Sequence, residues 1–115
     1  MTKKIELNGK EYELQMHVKD LKELGLVPND TQGNIQTMSD IMSGLMTGDA
    51  LTLIDVLAKL LKGKLKRSEV EDYVSEDENI DQLFETVESF FETSPLTKKM
   101  AQMIARPARE ALENL

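Results

Sequence analysis

One dipeptide constrains this chain more than any other feature: Asn8-Gly9, set between IEL and KEYEL. An Asn-Gly pair between alternating apolar residues specifies a two-residue type I′ turn, because both central residues must take positive φ and these two do so at little cost. That turn sets a register in which Leu7 faces Lys10, Ile5 faces Tyr12 and Lys3 faces Leu14. Ile5, Leu7, Tyr12 and Leu14 then share one side of the hairpin, and charged residues hold the other. An isolated hairpin is marginal in water, so this one, residues 3–16, needs a helical surface over its apolar side. It is expected to act as a lid or an edge, and an exposed edge can pair with another chain.

Residues 17–115 read as helical. Val18, Leu21 and Leu24 recur at helical spacing, with Gly25 as a stop, and GLVPNDTQGN reads as a loop. From Ile35 to Met46 a stripe of Ile35, Met38, Ile41, Met42, Leu45 and Met46 follows, interrupted at Gly44 and closed near Gly48. Asp49 is placed to cap the next helix, whose apolar residues, Leu51 to Leu61, cover more than half its circumference; this is the candidate central helix, ended by Gly63. Ser68 and Glu71 have capping-box spacing ahead of Val70, Tyr73 and Val74. Asn79 is expected to cap the clearest helix, in which Ile80, Leu83, Phe84, Val87, Phe90 and Phe91 are strictly periodic. Ser94 and Pro95 then suit an N-cap and first position for a last helix through Leu96, Met100, Met103 and Ile104, which Pro107 should kink or end. The expected fold is mostly α, an N-terminal β-hairpin packed on a small bundle of about five or six helices in one domain, 1–115.

Several kinds of chemistry are excluded by composition. The chain has no cysteine and one histidine, His17, so thiolate catalysis, disulfides and Cys/His zinc sites are out, and no nucleophile, base and orienting group can be assembled. No enzyme activity and no cofactor are expected. A net charge of −7 argues against binding to phosphate backbones, so nucleic acid is not an expected partner. The greasiest segment, LTLIDVLAKLL, is too short to span a bilayer and is broken by Asp55 and Lys59, so no membrane is expected either. Asp77, Asn79, Asp81, Glu85 and Glu88 match positions of a calcium-binding loop, but the position needing glycine is Gln82 and a helical period runs through it. No metal is assigned; acidic residues at a helix N-terminus explain the run.

Two surface features stand out. Residues 69–92 hold ten acidic side chains and no Lys or Arg, whereas 59–67 and 98–109 are basic. Neighbouring helices can satisfy this charge division within one molecule. It also suits head-to-tail self-association, with Asp81, Glu85 and Glu88 of one copy meeting Lys98, Lys99 and Arg106 of the next. Met38, Met42 and Met46 stand four apart, and thioethers fill cores well but also serve adaptable grooves. Because the central helix already supplies core surface, Met38, Met42 and Met46, with Phe91 as neighbour, are the candidate binding residues for an apolar partner.

Taken in order, IELNGKEYEL, KDLKELGL, KLKRSEVEDYV and IDQLFETVESFFETSPLTKKM make the chain resemble tail assembly chaperones of long non-contractile-tailed phages of Gram-positive hosts. The resemblance implies a protein that binds and solubilises the hydrophobic tape measure protein during tail morphogenesis, as multiple self-associating copies, in the cytoplasm of the infected host and outside the mature virion. It further implies a frameshifted longer product that recruits tail tube protein, this chain being the short product. The competing reading is an acidic helical inhibitor of the DNA-mimic type, with the carboxylates of 69–92 as its working surface.

Overall fold

Asn8 and Gly9 take φ of 53° and 74° in the computed structural model, which describes residues 2–115, so the first turn is type I′. Strands β1 (Thr2–Leu7) and β2 (Lys10–Gln15) pair antiparallel in the expected register, Lys3↔Leu14, Ile5↔Tyr12 and Leu7↔Lys10. Ile5, Leu7 and Leu14 are buried and Tyr12 is half-buried, all on the side turned to the helices. Six helices follow: α1 (Val18–Glu23), α2 (Thr31–Met46), α3 (Ala50–Leu60), α4 (Arg67–Ser75), α5 (Ile80–Thr93) and α6 (Lys98–Glu113).

Helix boundaries follow the caps more closely than the apolar period. Asp30 accepts a hydrogen bond from the Gly33 N–H at 3.1 Å, so α2 begins at Thr31, four residues before the apolar stripe and inside the stretch read as loop. Within that helix Asn34 turns back on the remaining loop, pairing with both the N–H and the C=O of Val27 at 2.9 and 2.7 Å. Asp49 caps α3 as expected, its carboxylate accepting the Leu51 N–H at 3.0 Å. For α4 the cap falls two residues earlier than Ser68 and Glu71 and is one-sided: the Glu69 carboxylate accepts the Lys66 N–H at 3.0 Å, which makes Lys66 the N-cap and leaves Ser68 inside the helix. Asn79 is the N-cap of α5, but its side chain makes no capping bond; Asp77 instead accepts the Asn79 N–H at 2.8 Å. Ser94 to Thr97 form a turn rather than the first turn of α6, whose N-cap is Thr97. The Thr97 hydroxyl donates to the Phe91 carbonyl at 2.7 Å and so closes the end of α5.

One cluster of buried apolar residues draws on the hairpin and on all six helices except α1, with Leu24 just beyond α1 joining it. Helix α2 packs against α3, α5 and α6, and β1 against α5. Helices α2 and α3 meet at 117° across the Gly48 turn, and no single helix among the described residues is long and apolar enough to cross a membrane. At their corner Gly44 lies so close to α3 that a Cβ there would sit 2.3 Å from the Thr52 Oγ1. Phe90 and Phe91, both fully buried, meet edge to face at 6.1 Å between centroids.

Candidate functional site

The methionine stripe expected to bind an apolar partner lies inside the molecule. Met38 and Met42 are 0% exposed, Phe91 is likewise 0% exposed, and Met46 is half-buried. The reason is the position of α2: with helices on three sides it has no outward apolar face, so its thioethers fill the core. Truncating a buried Phe costs about 3–5 kcal/mol, which marks Phe91 as structural in this conformation. The expectation that these side chains stand surplus to the core is therefore corrected.

Uncovered apolar surface is found on α6 instead. At 100° per residue, Met100, Met103, Ile104, Pro107, Ala108 and Ala111 fall within an arc of about 140° along α6. Ala101 and Ala105, beside that arc, are buried, and Met100 and Ile104 within it are half-buried against the core, which leaves Met103, Pro107 and Ala111 exposed, Met103 by 56%. Helix α6 continues through Pro107 to Glu113, so of the kink or end expected at Pro107 the end is not found. Pro107 removes one intrahelical donor, but the Met103 residue whose carbonyl would have accepted it is exposed, so water can satisfy that oxygen. Treating Pro107 as a kink or end hid this stripe, which becomes legible once the period is carried on to Ala111.

The polar side of α6 is bound to α5. Arg109 forks onto Glu92, with one N–H donated at 2.6 Å and a second to the other carboxylate oxygen, and it lies 3.7 Å from Glu88. Gln102 adds a bond to the Glu92 carbonyl at 2.8 Å. Burial raises the pKa of Glu88 above the ordinary carboxylate value; the Arg109 charge opposes this, and the negative Glu92 and Glu85 add to it. The charge division of the sequence is thus partly resolved within the molecule. Arg109, not singled out from sequence, is the cation that resolves it.

Asp81, Glu85, Lys98, Lys99 and Arg106 remain exposed, and none has an ion-pair partner within 4.0 Å among the described residues. Arg106 donates only to Gln102, at 3.3 Å. Glu88 is half-buried and engaged by Arg109, which sets it apart from the exposed carboxylates with which the sequence grouped it.

A second acidic surface adjoins the hairpin. Between β1 and the α4–α5 turn is a cleft of about 580 Å³ with Ile5 and Leu83 in its lining and Glu6, Glu11, Glu76, Asp77 and Glu78 around it. Lys4 is its one cation among the described residues and pairs with Glu11 at 3.4 Å. His17 stands apart from this cleft, exposed at the start of α1, with its backbone N–H donating to the Asp20 carboxylate at 2.8 Å.

Comparison with known proteins adds a family to this geometry. The family model described as phage tail assembly chaperone protein, TAC, matches residues 4–105, which spans the hairpin, α1 to α5 and the first half of α6. No curated protein and no solved structure gives a match. With the match running over nearly the whole chain, this protein belongs to the phage tail assembly chaperone family.

Proposed function

We propose that this chain binds apolar helical segments of the tape measure protein and keeps them soluble during tail assembly, several copies coating one client. The observation that carries the reading is the outer edge of the stripe on α6, where Met103, Pro107 and Ala111 stand exposed beside the half-buried Met100 and Ile104. An amphipathic or apolar helix lying alongside would cover Met103, Pro107 and Ala111, the usual way in which a helical client is held. Successive copies would meet through the unpaired Asp81 and Glu85 of one and Lys98, Lys99 and Arg106 of the next, a heterologous contact that propagates along a client. Met38, Met42, Met46 and Phe91 keep a part in client binding only if α2 opens away from its neighbours. A frameshifted longer product would add a domain that recruits tail tube protein. The work would be done in the cytoplasm of the infected cell and would leave no chaperone in the virion.

The test is co-expression with the tape measure protein and recovery of both from the soluble fraction. The unaltered chain should hold the client in solution, whereas Met103→Glu combined with Ala111→Glu should keep its helical circular dichroism and lose the client. Met42→Glu, which buries an unpaired charge at a 0% exposed position, should fail to fold instead. A folded α6 variant that still retains its client would remove the α6 stripe from the mechanism. Failure of the unaltered chain to retain any client would remove the function itself.

A further inference from the structure

The two strands of the hairpin form a complete sheet, so each has one edge without a strand partner. With Leu7 and Lys10 flanking a two-residue turn, the residues that exchange bonds across the hairpin are Leu7 with Lys10, Ile5 with Tyr12 and Lys3 with Leu14. The N–H and C=O groups of the alternate residues point away from the partner strand. On β2 the outward carbonyl of Glu13 is approached by the Lys64 ammonium at 3.4 Å. On β1 the outward groups of Lys4 and Glu6 have no protein partner among the described residues, and both residues line the acidic cleft.

From this juxtaposition we propose that the cleft is a docking site for an extended, lysine- or arginine-rich segment of another protein, added as a third strand to the β1 edge. Backbone pairing with Lys4 and Glu6 would supply affinity, as in other strand-addition complexes. Charge supplies the choice of partner. Glu6, Glu76 and Glu78 face the cleft with no cation within 4.0 Å of them among the described residues, an arrangement that repels itself until a basic ligand enters. The cleft also sets a sequence pattern. A third strand presents alternate side chains to opposite faces, so one set would lie over Ile5 and Leu83 and the other beside Glu6 and the Glu76 to Glu78 turn. The fitting segment therefore alternates apolar, preferably β-branched, residues with basic ones. The volume, about 580 Å³, lies in the range of ligand clefts. This site is separate from the α6 stripe, so variants in the cleft and variants on α6 report on different claims.

The probe is a fluorescein-labelled peptide of sequence Lys-Val-Lys-Thr-Lys-Val, followed by anisotropy against the full chain at low salt, with Glu-Val-Glu-Thr-Glu-Val as control. The basic peptide should bind and the acidic one should not. Glu76→Lys with Glu78→Lys should weaken binding by about tenfold or more, a loss equal to 1.4 kcal/mol. Position 4 separates strand pairing from simple charge attraction. Lys4→Ala removes a repelling cation and should tighten binding, whereas Lys4→Pro removes the same cation together with the outward N–H and should weaken it relative to Lys4→Ala. Equal affinities for those two variants would overturn strand addition, and equal binding of the acidic and basic peptides would overturn the charge selection. If the basic peptide fails to bind while sedimentation shows self-association that Glu76→Lys with Glu78→Lys abolishes, the cleft's occupant is a second copy of this chain and the proposal falls.

Discussion

At the turn of the hairpin two residues carry a conformation that most side chains resist. Gly9 has φ of 74° and nothing within 4 Å of where a Cβ would stand, so a substitution there is felt through the backbone alone. Gly9→Val should lower stability by more than about 1 kcal/mol, while Gly9→Asn, tolerant of positive φ, should cost less; overlaid denaturant melts of the two read the difference. Asp55 shows a different control. Burial raises its pKa, but the hydrogen bonds and charges of Lys59 and Arg67 together outweigh burial and hold it below the ordinary value of 3.8. A depressed carboxylate stabilises the fold above its unfolded pKa and ceases to do so as pH falls through its folded one. Asp55→Asn should therefore cost about 0.5 kcal/mol near neutrality, small because the side chain is 43% exposed, and the two melting curves should converge on acidification below 3.8.

Among the elements, the corner between α2 and α3 depends on Gly44. In an open helix, Gly→Ala gains about 1 kcal/mol from propensity. Here the added methyl would lie 2.3 Å from Thr52 Oγ1 and 2.7 Å from its Cβ, and overpacking of that kind costs about 1–3 kcal/mol. Gly44→Ala should thus destabilise despite its helix propensity, read as a lower denaturant midpoint with an unchanged slope. The same elements show how far local rules reach. The hairpin register, the Asp49 cap and the α5 period were legible because each is decided by residues within one turn or one pair of strands. The start of α2 was hidden because its cap, Asp30, precedes the apolar period and a glycine follows it. The end of α6 was misread because Pro107 is disruptive where its neighbours are buried and tolerable where the backbone meets water. The fate of the methionines was not legible at all, since which face of α2 is covered depends on α3, α5 and α6 together.

For the whole molecule, charge is arranged as a partly closed circuit. Arg109 consumes Glu92 and touches Glu88, which leaves unpaired acid at Asp81 and Glu85 on α5 and unpaired base at Lys98, Lys99 and Arg106 on α6, whose end also carries Glu110 and Glu113. If copies associate head to tail through these residues, sedimentation at low salt should depend on concentration and the effect should fade as salt is added. Lys98→Glu with Lys99→Glu should abolish it, as should Asp81→Lys with Glu85→Lys. A mixture of the two variants should regain concentration-dependent assembly, because the acidic surfaces of one then meet the basic surfaces of the other at every contact. Persistence of long assemblies in either variant would place the contact elsewhere.

The hairpin also sets an order of events during synthesis. Lys3 reaches Ser89 at 2.6 Å, and β1 lies on α5, so the first strands made are covered by one of the last helices to leave the ribosome. At about 5–20 residues per second, the interval between completing β2 and completing α5 is roughly 4–15 s. Throughout it Ile5, Leu7 and Leu14 must wait without their final cover, and early contacts cannot lock the fold. A chaperone of this build is itself briefly a nascent chain with an unprotected greasy strand pair, and its production rate is tied to how fast the C-terminal half arrives.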